Sequence, residues 1–234
     1  MGTFSQLAKI DGVEKLVKFK QGILLGAARE AGHIPAEHYT WVKDGACAAY
    51  VMAWFVQRYG IATHFPPARK IRPRDDEASI STAAMFVHYQ VAYMKDPQKA
   101  RHAVATLARR FDLYVTSALI EETFDKLILK LQKELMDEER DPAAIIHAYK
   151  DGSQFGHAIG LFRGKGGLHF FDPNIGEYWV PRNKLEFFVA KYSEIHRLKA
   201  MGGYGDSWAV LIGTKRPDAV DMADAIFASI YGSD

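Results

Sequence analysis

The chain has one cysteine and nine histidines, and one grouping among them has the order and spacing of nucleophilic chemistry. Cys47 stands in the run Asp44-Gly45-Ala46-Cys47-Ala48-Ala49. A lone cysteine in an apolar helix is ordinarily a small buried hydrophobe. With Asp44 or Gly45 as N-cap, however, Cys47 falls in the first helical turn, where free N–H groups and the helix dipole favour a thiolate. The small residues on either side would let a substrate backbone come close. An Asp44 carboxylate capping near the sulfur would oppose the thiolate, so position alone makes Cys47 a candidate and no more.

His157 is the histidine with a setting. It lies in Gly156-His157-Ala158-Ile159-Gly160, at the head of one expected strand, and a second ends in Phe170-Phe171-Asp172-Pro173-Asn174. Gly164-Lys165-Gly166-Gly167 reads as the turn between them, with Lys165-Gly166 at its tip. Facing residues then have numbers that add to 331, which sets His157 opposite Asn174 and Ile159 opposite Asp172. Residues two apart on a strand share a face. His157 and Asp172 therefore lie diagonally on one face, within hydrogen-bond reach, unless the register slips by one. A carboxylate beside imidazole fixes its tautomer and steadies the imidazolium. His33, His38, His64, His88, His102, His147, His169 and His196 fall in no ligand pattern and read as surface or satisfied core histidines. With one cysteine and no His-Glu-x-x-His, neither a metal nor another cofactor is expected.

These side chains need elements to hold them. The first third reads as helical: Val13, Leu16, Val17, Phe19, Ile23, Leu24 and Ala27 recur at three- and four-residue steps after Asp11. Gly32 and Pro35 end that segment. Residues 46–59 have helix length and are apolar on most faces, which places them in a core. Residues 65–78, with three prolines, a basic cluster and an acidic triplet, read as a long exposed loop. Helices are expected at 81–94, 98–110 and 121–140, the last with Phe124, Leu127, Ile128, Leu131 and Leu135 as one stripe. After Pro142 the pattern turns to strands at 144–149, 157–162, 168–171, 177–180 and 208–214. Helices return at 183–200 and 218–231. Helices first and strands later, without regular alternation, predict an α+β fold. Residues 1–234 read as a single domain, with 1–35 an N-terminal helical segment packed on it.

Composition narrows the function classes. Hydrophobic residues make up 48% and charged residues 25% of 234, a globular balance that excludes a disordered chain, a collagen-like repeat or a disulfide scaffold. Thirty Lys and Arg against twenty-eight Asp and Glu leave a net charge of +2, too small to point to nucleic acid or an anionic membrane. The longest apolar run, residues 46–56, falls short of the roughly 18–20 residues a membrane span needs. No basic region followed by an apolar core marks a signal peptide at the N-terminus. The Gly-x-Ser-x-Gly, Gly-x-Gly-x-x-Gly and Walker A patterns do not occur.

Cys, His and Asp in that chain order, with the Cys opening a helix and the others on a hairpin, is the arrangement of papain-like folds. Gly45-Ala46-Cys47, Gly156-His157-Ala158 and Phe171-Asp172-Pro173-Asn174-x-Gly176 resemble the three motif blocks of the YopT/AvrPphB-type cysteine protease effectors. The spacing agrees: 110 residues from Cys47 to His157, then 15 to Asp172. The match covers roughly residues 44–54 and 156–180.

The resemblance implies a papain-like fold, with a helical lobe bearing Cys47 and an antiparallel sheet bearing His157 and Asp172. Cys47 would be the nucleophile, His157 the base and Asp172 the orienting acid of a protease that bacteria export into a host cell to cut a host protein. A related effector, OspI, uses the same triad as a glutamine deamidase, which is the alternative activity. A non-catalytic binding module of the same fold and an antibacterial toxin silenced by an immunity protein are rivals of another class, and a secretion chaperone is a further expected partner. One departure stands out. Papain-like enzymes usually place Gln or Asn five or six residues before the cysteine to help bind the oxyanion, and Val42 and Trp41 stand there. The N–H of Cys47 is one donor, while Lys43, Thr40 or a backbone N–H are open as the second. Trp41 and Trp179 lie near motif blocks and are candidates to wall the site.

Overall fold

A computed structural model describes residues 3–42, 45–61, 77–95, 100–150, 156–198 and 204–215. The chain opens with a 3-10 segment, Thr3–Lys9, and then forms strand β1, Glu14–Val17, and helix α1, Gln21–Glu30. A short turn of helix, α2, Tyr39–Val42, precedes α3, Cys47–Arg58. Next come α4, Glu77–Met94, and α5, Ala100–Arg109, followed by β2, Tyr114–Val115, and β3, Ile120–Thr123. Helix α6 spans Phe124–Met136 and leads into β4, Ala143–Lys150, β5, Gly156–Gly164, β6, Gly167–Asp172, and β7, Gly176–Pro181. Helix α7, Leu185–Leu198, and β8, Tyr204–Gly213, complete the described elements. Most of the expected loop at 65–78 and the expected helix at 218–231 lie outside the described residues.

The strands form one antiparallel sheet in the order β1-β7-β6-β5-β4-β8-β2, with β3 also paired to β8. Period-2 alternation splits its side chains between two cores. Ala143 and Ile145 face the layer of α1, α3, α4 and α5, whereas Ala144, Ile146 and Ala148 face α6 and α7. Helix α3 is the axis of the first core: ten consecutive residues, Cys47 to Val56, are buried, as a run apolar on every face requires. It lies hard against β5 at Gly160, where a β-carbon would come within 2.7 Å of the Trp54 ring. At its far end Arg58 pairs with buried Glu177, which also meets His169 Nδ1 at 3.1 Å.

The β5–β6 hairpin has the register its turn predicts: Gly160 faces Phe171, Leu161 faces Phe170 and Gly164 faces Gly167. In α6 the buried residues are Phe124, Leu127, Ile128, Leu131 and Leu135, the stripe read from the sequence. Two strands fall where helix was expected, over residues 14–17 and 121–123. Residues 14–17 pair with β7 (Glu14 opposite Trp179), and residues 120–123 pair with β8 (Ile120 opposite Ala209). Both are four-residue strands, too short to show a period of two, and pairing with a distant strand overrides the local helical spacing.

Candidate active site

Helix α3 starts at Cys47. Its N-cap is Ala46, with φ −113° and ψ 42° and no side-chain cap bond, one residue later than Gly45; Asp44 lies outside the described residues. The first-turn N–H groups of a helix have no intrahelical partner, and here two distant amides meet that turn. Gln21 Oε1 accepts from the Ala46 N–H at 2.8 Å, and Gln90 Oε1 accepts from the Ala49 N–H at 3.4 Å. Gly45 has φ +121°, and a β-carbon there would overlap the Gln21 carboxamide, 2.5 Å from Nε2. Only glycine combines that backbone with that close approach.

Cys47 is 7% exposed, and its Sγ accepts a hydrogen bond from the Ala158 N–H at 3.3 Å. The next residue back on β5 is His157, whose side chain is 12% exposed. Its Nε2 meets Asp172 Oδ1 at 2.8 Å, the diagonal pairing that the hairpin register predicts. That leaves Nδ1 as the nitrogen for Cys47, with which the imidazole also hydrogen-bonds. The three residues singled out in the sequence therefore meet at one place, in the order sulfur, imidazole, carboxylate.

Asp172 is fully buried and satisfied on both oxygens. Oδ1 also accepts from the Asn174 N–H at 2.8 Å, and Oδ2 accepts from the Tyr192 hydroxyl at 2.7 Å. Burial alone would raise its pKa, but the charge and hydrogen bond of His157, with the Asn174 and Tyr192 donors, outweigh that and hold it below the ordinary value. For His157, burial opposes the charged ring. The Asp172 charge and hydrogen bond prevail, with Cys47 adding to them, and push its pKa up to about 10. The ring is an imidazolium at neutral pH.

Four residues of this neighbourhood carry no motif signal. Gln21 and Gln90 reach the start of α3 from α1 and α4, and Tyr192 braces Asp172 from α7. The fourth, His147, sits on β4 between Ala158 and Trp208 in register. Its ring stacks on Trp208 at 4.1 Å, Nδ1 meets the Tyr93 hydroxyl at 3.1 Å, and Nε2 is buried without a partner. Burial, and then the His157 charge, push its pKa down to about 3, so it is neutral. Of the expected second oxyanion donors, Thr40 turns its hydroxyl to Glu37 O at 3.5 Å, and Lys43 lies outside the described residues. Trp179 is on β7 opposite His169 and Glu14, away from the triad. Among the described residues no group of three or more His, Cys, Asp or Glu could hold a metal ion, and no helix is long and apolar enough to cross a membrane.

No protein-family model matches the sequence, and no curated protein matches it either. Two solved structures align with it, at very different levels of likeness in shape. The YopT domain of the Pasteurella multocida PfhB2 toxin aligns with 87% of this chain and 93% of its own at 16% identity, but its TM-score of 0.22 carries no argument. The crystal structure of the Pseudomonas avirulence protein AvrPphB aligns with 73% of this chain and 92% of its own, at 12% identity and a TM-score of 0.55. The chain thus shares the fold of AvrPphB, in keeping with the α+β, papain-like architecture expected from its motifs.

Proposed function

We propose that the protein is a thiol hydrolase in which Cys47, His157 and Asp172 form a catalytic triad, and specifically a bacterial effector protease that cleaves a host protein. The observation that carries this reading is the His157 imidazole, bound through Nε2 to buried Asp172 and facing Cys47 with its other nitrogen. The likeness in fold to a Pseudomonas avirulence protein supports delivery into a host cell.

The chemistry follows from the arrangement. The Cys47 thiolate attacks the scissile carbonyl carbon, a C–S bond forms, and the carbonyl oxygen takes up the negative charge. As the C–N bond breaks, the His157 imidazolium gives its Nδ1 proton to the departing amine. Water then attacks the thioester with neutral His157 as base, and the acid leaves with the thiolate restored. Asp172, already hydrogen-bonded, keeps the imidazole oriented through both halves of the cycle.

The test is mass spectrometry of a host-cell lysate treated with the wild type or with Cys47→Ala. New protein N-termini found only with the wild type are expected, and their sequences name the substrate. Glutamines converted to glutamate without any cut chain would replace the protease with the deamidase. Identical lysates would overturn the hydrolase in favour of a binding module.

A further inference from the structure

Acyl transfer at Cys47 puts negative charge on a carbonyl oxygen, and the loop before the cysteine has no side-chain amide to receive it. An amide that packs on the end of that loop comes from much farther back in the chain. Gln21 is the first residue of α1 and only 1% exposed. Its backbone N–H donates to Pro173 O at 2.8 Å, in the turn that follows Asp172. Its side chain spans both halves of the site: Oε1 takes the Ala46 N–H at 2.8 Å, and Nε2 donates to Asn174 Oδ1 at 2.9 Å.

These partners fix which way the amide faces. A flipped carboxamide would set an NH2 group against the Ala46 N–H and an oxygen against the Asn174 oxygen. A carboxamide nitrogen carries two hydrogens, and Asn174 takes one. The other belongs to a group packed on the Gly45-Ala46 backbone, one residue from the Cys47 N–H. A neutral donor is suited to this place, because it binds an oxyanion without adding a charge beside the thiolate–imidazolium pair.

We propose that Gln21 is a catalytic residue, the second oxyanion donor beside the Cys47 N–H, supplied by the N-terminal segment instead of the loop before the nucleophile. This rests on the thiol-hydrolase reading above. It makes the strap of β1 and the start of α1 part of the reaction centre and not only a cover for the fold.

Two reagents separate this role from a positioning role. p-Nitrophenyl acetate acetylates Cys47 through a tetrahedral oxyanion: the Sγ–C bond forms, the ester C–O bond breaks, and nitrophenolate carries off the negative charge. Iodoacetamide alkylates the same sulfur by displacing iodide, and its carbonyl stays trigonal. Gln21→Ala is expected to slow acetylation by about 10²–10³-fold while alkylation keeps its rate and pH profile. Gln21→Met, which fills similar volume without a donor, should do the same, with thermal unfolding recorded to show that it is folded. Equal loss with both reagents would overturn the proposal and make Gln21 a positioning residue, as would undiminished acetylation. A wild type that reacts with neither reagent faster than Cys47→Ala would overturn the triad, and this assignment with it.

Discussion

Asp172 and Cys47 face the same imidazole from surroundings that have little in common. The carboxylate is enclosed by groups close in sequence and mostly on one face of the sheet: His157 across the hairpin, the Asn174 N–H two residues on, and Tyr192 on α7. The nucleophile sits where separate parts of the chain converge, with Gln21 of α1 and Gln90 of α4 at the head of its helix and the Ala158 N–H of β5 at its sulfur. The acid's side of the site is thus a device for setting charge, and the nucleophile's side gathers its neutral donors and acceptors from distant parts of the chain. Damage to the first should appear in pH profiles, and damage to the second in rates at fixed pH.

The largest effect is expected from Asp172→Asn, which removes the charge that keeps His157 protonated. Loss of an oriented acid–base pair costs about 10²–10⁴-fold in rate, and the alkaline limb of amide hydrolysis, the step that needs the His157 proton, should fall from near the wild-type His157 pKa of about 10 toward the ordinary value of 6.5. The linked stability has a definite sign. A raised His157 pKa contributes stability that is complete below pH 6.5 and lost as pH rises through about 10, so urea unfolding of the wild type should weaken across that window while the variant stays flatter. An unchanged alkaline limb would break the comparison at its base.

Tyr192→Phe is a milder version. It removes one donor to the buried carboxylate, worth about 1.5–3 kcal/mol for a bond to a charged group, and should lower the alkaline limb less than Asp172→Asn does. Equilibrium unfolding and the same pH profile check both parts. A rate loss with no movement of the limb would show that Tyr192 acts through position after all.

The smallest effect on rate is expected at His147, on the sheet face that packs against α3. Its pKa is lowered to about 3, so its contribution is complete above pH 6.5 and lost as pH falls from there toward 3. His147→Phe should flatten the fall in urea stability over that acid range and leave the alkaline limb of His157 in place. A variant that still loses stability as the wild type does would remove His147 as the acid-sensitive group.

The contrast also explains what could be read from the sequence. The hairpin was legible because one glycine turn fixes its register, so the His157–Asp172 bond follows from arithmetic on residue numbers. The stripe of α6 was legible because its apolar spacing repeats within one helix. β1 and β3 were not, since each owes its conformation to a strand far away, and four residues carry too little pattern to announce it. Gln21 was invisible for the same reason: it meets Asn174 across 153 residues, and nothing in Lys20-Gln21-Gly22 marks that partner. Cys47 lies between these cases. Its motif was visible, but its cap was not, because Ala46 contributes only backbone and the amides that serve the first turn belong to other helices.

The reach of Gln21 has a bearing on how the protein is made. At a synthesis rate of about 5–20 residues per second, the 153 residues between Gln21 and Asn174 take roughly 8–30 s to emerge. Over that interval β1 exists before its partner β7, a strand with no sheet to join. Unpaired strands attract one another, and charged side chains, lysine above all, discourage such pairing. Lys15, Lys18 and Lys20 are exposed along this stretch; the pKa of Lys15 is lowered by partial burial of its ammonium, and after that by repulsion from Lys18 and Lys20. A nascent chain therefore carries its nucleophile early but no working site, and charge keeps the waiting strap apart from its neighbours until the last third of the protein arrives to receive it.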